Sequence, residues 1–169
     1  MSNIVLTGMP GCGKSTVGVI LAKTLCMGFV DSDLLIQRQH QKPLQQLISA
    51  FGVEAFLDME RDAILSIRGE NTVIATGGSA VYRAEAMEHL GKYGRIFYLR
   101  LPFAQIKARL TNIATRGVAL PHGQTLEQMY RERLPLYERF ADEAVDCSGK
   151  SIEAIVAEIQ GKMQNISRP

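Results

Sequence analysis

Eight residues near the amino terminus constrain this chain more than any others. Gly8-Met9-Pro10-Gly11-Cys12-Gly13-Lys14-Ser15 fits the pattern G-x-x-x-x-G-K-[ST]. It follows a short apolar run, Asn3 to Thr7, that reads as a buried strand. It precedes a stretch from Lys14 to Leu25 in which Val17, Ile20, Leu21 and Leu25 recur at helical spacing. Glycines at these offsets let backbone N–H groups curl around a phosphate, and the helix that follows points its positive end at the anion. Lys14 then reaches the β- and γ-phosphates, the Ser15 hydroxyl can ligate Mg²⁺, and Gly11, Cys12, Gly13 and Thr16 complete a nucleotide cradle. A turn that merely ended a strand would not require Lys-Ser at this offset.

Downstream, short strands alternate with helical stretches. Phe29-Val30, Thr72 to Thr76, Arg95 to Leu99 and Ala144-Val145 read as strands. Helices are expected after Asp33, from Pro43, over Gly52 to Leu65, from Pro102 to about Leu110, from Thr125 with a kink or split at Pro135, and behind a Ser151 cap. Such alternation predicts an α/β fold, a three-layer sandwich with a five-stranded parallel sheet covered on both faces. Ligands in these sheets bind beyond the carboxyl ends of the strands, so Gly8, Asp31/Asp33 and Gly77/Gly78 should converge. Residues 111–124 lose all apolar period and read as a lid or binding loop.

The chain's 169 residues predict a single domain. A net charge of +2, from 19 basic and 17 acidic residues, leaves no electrostatic footprint for nucleic acid or an anionic membrane. Cys12, Cys26 and Cys147 match neither a disulfide framework nor a zinc site, and the amino terminus lacks a signal-peptide layout, so a cytoplasmic protein with reduced thiols is expected. Cys12, at a helix start, would have either an activated thiol or a packing role. His40, His89 and His122 show no ligand spacing.

A phosphate loop also serves GTPase switches and mechanical ATPases. The chain contains no N-K-x-D-type guanine-reading run, and Asp31-Ser32-Asp33 ends the second strand instead. Two carboxylates there can hold Mg²⁺ and accept a proton from an attacking hydroxyl; alternatively, Ser32 or Asp33 merely caps the next helix.

Taken together, the phosphate loop, Asp31-Ser32-Asp33, Thr76-Gly77-Gly78-Ser79, Thr115-Arg116-Gly117 and Arg133-Leu134-Pro135-Leu136-Tyr137 resemble the shikimate kinase family from Asn3 to about Met163. The resemblance implies strand order 2-3-1-4-5, a monomer, MgATP as phosphoryl donor and a small hydroxy acid as acceptor, most simply shikimate giving shikimate 3-phosphate. It implies acceptor-binding helices over about 33–62 and a lid over about 111–124. Asp31 would support the metal, and Asp33 would bind the acceptor and act as base. Gly77 and Gly78 would let the backbone approach the acceptor. Arg116 would close over the phosphates, Arg109 would lie near the adenine, and Arg133 would hold the acceptor carboxylate, with Glu60 orienting the arginines.

Three motifs depart from the family pattern. Its F-R-x-x-E reads Phe56-Leu57-Asp58-Met59-Glu60, its glycine triplet ends in Ser79, and its R-P-L reads Arg116-Gly117-Val118. A charge-assisted hydrogen bond contributes about 1.5–3 kcal/mol, so an arginine absent at Leu57 bears on the acceptor. Arg61 either substitutes for it or faces solvent. Asp58 would favour an amine, which keeps homoserine open as acceptor; a nucleotide-binding regulator without an acceptor is the other reading.

Overall fold

A computed structural model describes residues 2–110, 118–121 and 123–164. Five parallel strands, β1 (Asn3–Thr7), β2 (Gly28–Asp31), β3 (Thr72–Ala75), β4 (Gly94–Arg100) and β5 (Glu143–Asp146), form one sheet in the order β2-β3-β1-β4-β5. β1 is central and buried along its whole length, as its unbroken apolar run requires.

The helices are α1 (Lys14–Leu25), α2 (Ser32–His40), α3 (Leu44–Ser66), α4 (Ala84–Tyr93), α5 (Phe103–Arg109), α6 (Leu126–Phe140) and α7 (Ile152–Gln164). α1 and α7 pack on each other along one layer, while α3, α4 and α6 contribute to the other. α4 and the 3-10 turn Ala80–Tyr82 are additional to the elements read from the sequence. Gly52, at φ 81° and ψ 168°, breaks α3 into the two helices that its sequence suggests.

α6 corrects one expectation: it runs unsplit through Pro135. Pro135 and Arg131 are both exposed, so the proline lies on the outer side of the helix, away from its buried stripe. A capping box fixes the other end, with Thr125 N–H donating to Gln128 Oε1 and Gln128 N–H to Thr125 Oγ1. Met129, Arg133 and Tyr137 recur every fourth residue as the buried stripe of this helix.

Register brings three strand ends together. Ala75 is paired with both Leu6 of β1 and Asp31 of β2. Thr76 continues the alignment, its N–H donating to the Leu6 carbonyl at 3.0 Å. The phosphate loop, the aspartates and the glycine pair therefore leave the sheet at one level.

Candidate active site

A cavity of about 480 Å³ opens above these strand ends. Its walls include Gly11, Gly13, Lys14, Ser15 and Thr16 from the loop and α1, Asp33 from α2, Phe56 from α3, Thr76, Gly78 and Ser79 after β3, and Arg133 from α6. Val118 and Ala119 complete it. One chamber thus joins a phosphate cradle to a carboxylate and a buried guanidinium.

The cradle follows from local conformation. Gly13 is the N-cap of α1 at φ 100°, a left-handed geometry that favours glycine, and the first amides of α1 have no partner within the helix. The Lys14 ammonium donates to the carbonyls of Gly8 at 2.8 Å and Met9 at 2.9 Å, which anchors it beneath the loop. Cys12 is buried in the core, with Lys14 Nζ 3.8 Å from its Sγ and its own N–H donating to Met9 O. It fills space under the loop. Arg109 reaches the loop from α5, Nη1 donating to the Gly11 carbonyl at 3.3 Å. Arg116 and most of the lid segment lie outside the described residues.

Asp31, not Ser32 or Asp33, caps α2. Its Oδ1 accepts the N–H groups of Asp33 and Leu34, while Oδ2 accepts the Ser15 hydroxyl at 2.6 Å. Ser32 is buried and accepts the Gly77 N–H at 2.9 Å, tying α2 to the end of β3. Capping by Asp31 leaves the Asp33 carboxylate free to face the cavity.

Asp33 and Glu60 flank Gly77 so closely that a side chain there would have to displace both carboxylates: a Cβ would overlap Glu60 Oε1 and lie 2.6 Å from Asp33 Oδ1. Burial, and then the charge of Asp31, push Asp33 up to about 6 against the pull of Lys14. Glu60, fully buried, is pushed up to about 7, first by burial and then by Asp33; the Ser79 hydroxyl, Arg133 and Lys14 oppose this. Ser79 donates to Glu60 Oε2 at 2.6 Å, and Oε1 has no partner among the described residues. Were Asp33 the base that the family resemblance implies, it would have to be ionised to accept a proton, and turnover should fall as pH drops through its value. A pH profile of kcat/KM is expected to show an acid limb with an apparent midpoint of about 6.

Arg133 is 1% exposed although it lies mid-helix. Nη2 donates to the Ala119 carbonyl at 2.7 Å and Nε to the Tyr82 hydroxyl at 3.3 Å. Tyr137, one turn on, stacks on Tyr98 and donates to the Gly78 carbonyl at 2.6 Å. Leu57 points elsewhere: it is buried in the apolar cluster that contains Ile36, Leu47, Ile48 and Phe56. Arg61 does not replace the arginine; it pairs with Asp62 at 2.8 Å and Asp58 at 3.0 Å. Asp58 in turn accepts from Arg83 at 2.9 Å.

The sequence model of one family, shikimate kinase, matches residues 10–164. This chain belongs to the shikimate kinase family. Shikimate kinases of Thermodesulfovibrio yellowstonii and Francisella tularensis subsp. novicida are each 35% identical to it, over 170 and 161 residues. The alignments cover 99% and 93% of this chain, and 98% and 92% of those proteins. Among solved structures, shikimate kinase from Acinetobacter baumannii in complex with shikimate superposes with a TM-score of 0.88 at 28% identity, covering 100% of this chain and 96% of that one. The Aquifex aeolicus enzyme gives 0.85 at 27%, covering 98% of each chain. As a shikimate kinase family member, the protein is an ATP-dependent phosphotransferase with the family's P-loop kinase fold.

Tyr82, Tyr137 and Ser79 join the site without having been assigned a role from the sequence. A cue existed for Tyr137, which shares the four-residue stripe of Arg133. None existed for Tyr82, whose contact with Arg133 spans 51 positions.

Proposed function

We infer that this protein transfers the γ-phosphoryl group of ATP to a hydroxyl of shikimate, giving shikimate 3-phosphate. The observation that carries the reading is the single chamber that joins the phosphate loop to Asp33 and to the buried Arg133. A polyhydroxy acid needs those three things: a donor held by its phosphates, a base at its hydroxyl and a cation at its carboxylate.

On this reading the α1 amides and Lys14 hold the β- and γ-phosphates, and Arg133 takes the acceptor carboxylate. Asp33 orients the acceptor hydroxyl and accepts its proton as the oxygen–phosphorus bond forms. The bond from the γ-phosphorus to the bridging oxygen breaks, and ADP leaves with that electron pair. Gly77 and Gly78 allow the acceptor to approach the backbone, and Glu60, held by Ser79, helps orient Arg133 through its charge. Ser15 Oγ and Asp31 Oδ2 are adjacent hard oxygen donors and fit Mg²⁺, which when bound would neutralise charge on the phosphate oxygens. The same reading assigns Arg109 to the nucleotide and Arg116 to the phosphates. It takes α2 and α3 as the acceptor-binding helices of a single domain, and residues 111–124 as its lid. The free thiols Cys12, Cys26 and Cys147 suit a cytoplasmic enzyme, and the family resemblance a monomer.

Homoserine fits less well. Its ammonium would need Asp58, and that carboxylate already accepts from Arg61 and Arg83. A regulator without an acceptor would have no use for Asp33 held beside the phosphate loop.

Coupled measurement of ADP release with shikimate, homoserine and gluconate tests the reading. Shikimate is expected to stimulate release well above the basal rate and to give the highest kcat/KM. A higher kcat/KM for homoserine, or no stimulation by any acid, would overturn it.

A further inference from the structure

We propose that Tyr82 is the positioning residue that makes a single arginine sufficient for the acceptor's carboxylate. The proposal rests on the reading of Arg133 as the carboxylate site and assigns that site a second component.

Among the described residues lining the cavity, the cations are Lys14 and Arg133, and Lys14 is anchored beneath the phosphate loop. Leu57 is committed to an apolar cluster and Arg61 to surface ion pairs. Among the described residues, carboxylate binding therefore depends on how well one guanidinium is aimed.

Tyr82 meets that guanidinium twice. Its hydroxyl accepts the Nε–H at 3.3 Å, and its ring lies 5.0 Å from Arg133 Cζ, within cation–π range. Burial raises the Tyr82 pKa above its ordinary value, so the hydroxyl stays protonated and neutral. With Nε held by Tyr82 and Nη2 by the Ala119 carbonyl, the edge of the fork carrying Nε is engaged on protein groups. Nη1 remains for the ligand. It lies 3.2 Å from where a Cβ on Gly78 would sit, so a side chain there would crowd the guanidinium.

Tyr82 is itself held in place. It closes the 3-10 turn, its N–H donating to Ser79 O at 3.0 Å, and its ring packs against the Leu57 cluster. The next residue, Arg83, is bound to α3 through Asp58 at 2.9 Å and Glu54 at 3.0 Å. The turn therefore bridges α3 to the buried face of α6. An arginine locked this way loses less freedom when its anion arrives.

Steady-state kinetics of Tyr82→Phe, Tyr82→Ala, Arg133→Ala and the Tyr82→Ala/Arg133→Ala double variant test the proposal. Tyr82→Phe keeps the ring, and its KM for shikimate is expected to rise about threefold to tenfold, with kcat and the KM for ATP within about twofold. Tyr82→Ala loses both contacts and is expected to raise that KM about tenfold to a hundredfold. In the double variant, Tyr82→Ala should add little to the KM of Arg133→Ala, because its partner is gone. Unchanged shikimate KM in both Tyr82 single variants would overturn the proposal, as would equal losses in kcat and both KM values. Fully additive effects in the double variant would also overturn it. If the parent protein does not use shikimate, the functional reading fails instead.

Discussion

Asp33→Asn is expected to lower kcat by about 10²–10⁴-fold, the usual contribution of a positioned general base. The amide retains the shape and can still bind the acceptor hydroxyl, so the KM for shikimate and that for ATP should change far less. The same substitution should stabilise the protein at alkaline pH. Asp33 titrates at about 6 in the folded chain against 3.8 as its ordinary value, so the folded state binds more protons between those values. Stability contributed at this position therefore falls as pH rises through that window, and above pH 6 the ionised carboxylate costs about 3 kcal/mol. Asparagine removes the cost. Thermal unfolding at pH 8 should show a higher Tm for Asp33→Asn, with a much smaller difference at pH 4, where the carboxyl of the folded protein is largely protonated. A variant that lost activity and stability together at pH 8 would mark Asp33 as structural.

Lys14→Ala should be at least as damaging to turnover. Removing one preorganised donor to developing charge costs about 10²–10³-fold in kcat, and Lys14 brings a full positive charge. Its ammonium is held at the loop by the Gly8 and Met9 carbonyls. Lys14→Arg is expected to restore little, because a planar fork cannot match two carbonyls arranged for a point donor. Single-turnover phosphoryl transfer at saturating ATP separates this loss from weakened nucleotide binding. Near-parental transfer by either variant would contradict the role given to Lys14.

The fold was legible because its evidence is local. Apolar runs that stop at glycine mark β1 and β3, and the Ser151 cap of α7 is read correctly, with the Ala154 N–H donating to its hydroxyl. α4 is less legible: its buried positions are Ala86, Met87 and Leu90, a short stripe set in a polar stretch. Pro135 misleads because its cost depends on where it falls around the helix, and it falls on the exposed side.

The chain alone determined the phosphate loop, the alternation that forces a parallel sheet, and the convergence of Gly8, Asp31/Asp33 and Gly77/Gly78 at one edge. Each depends on neighbours within a few residues or on a rule of sheet topology. Tertiary structure alone decided which aspartate caps and which faces the cavity, that Leu57 and Arg61 are spent elsewhere, and that Tyr82 meets Arg133. Those outcomes depend on side chains dozens of positions apart competing for the same partners, and burial decides the competition. The spacing of the residues cannot express it.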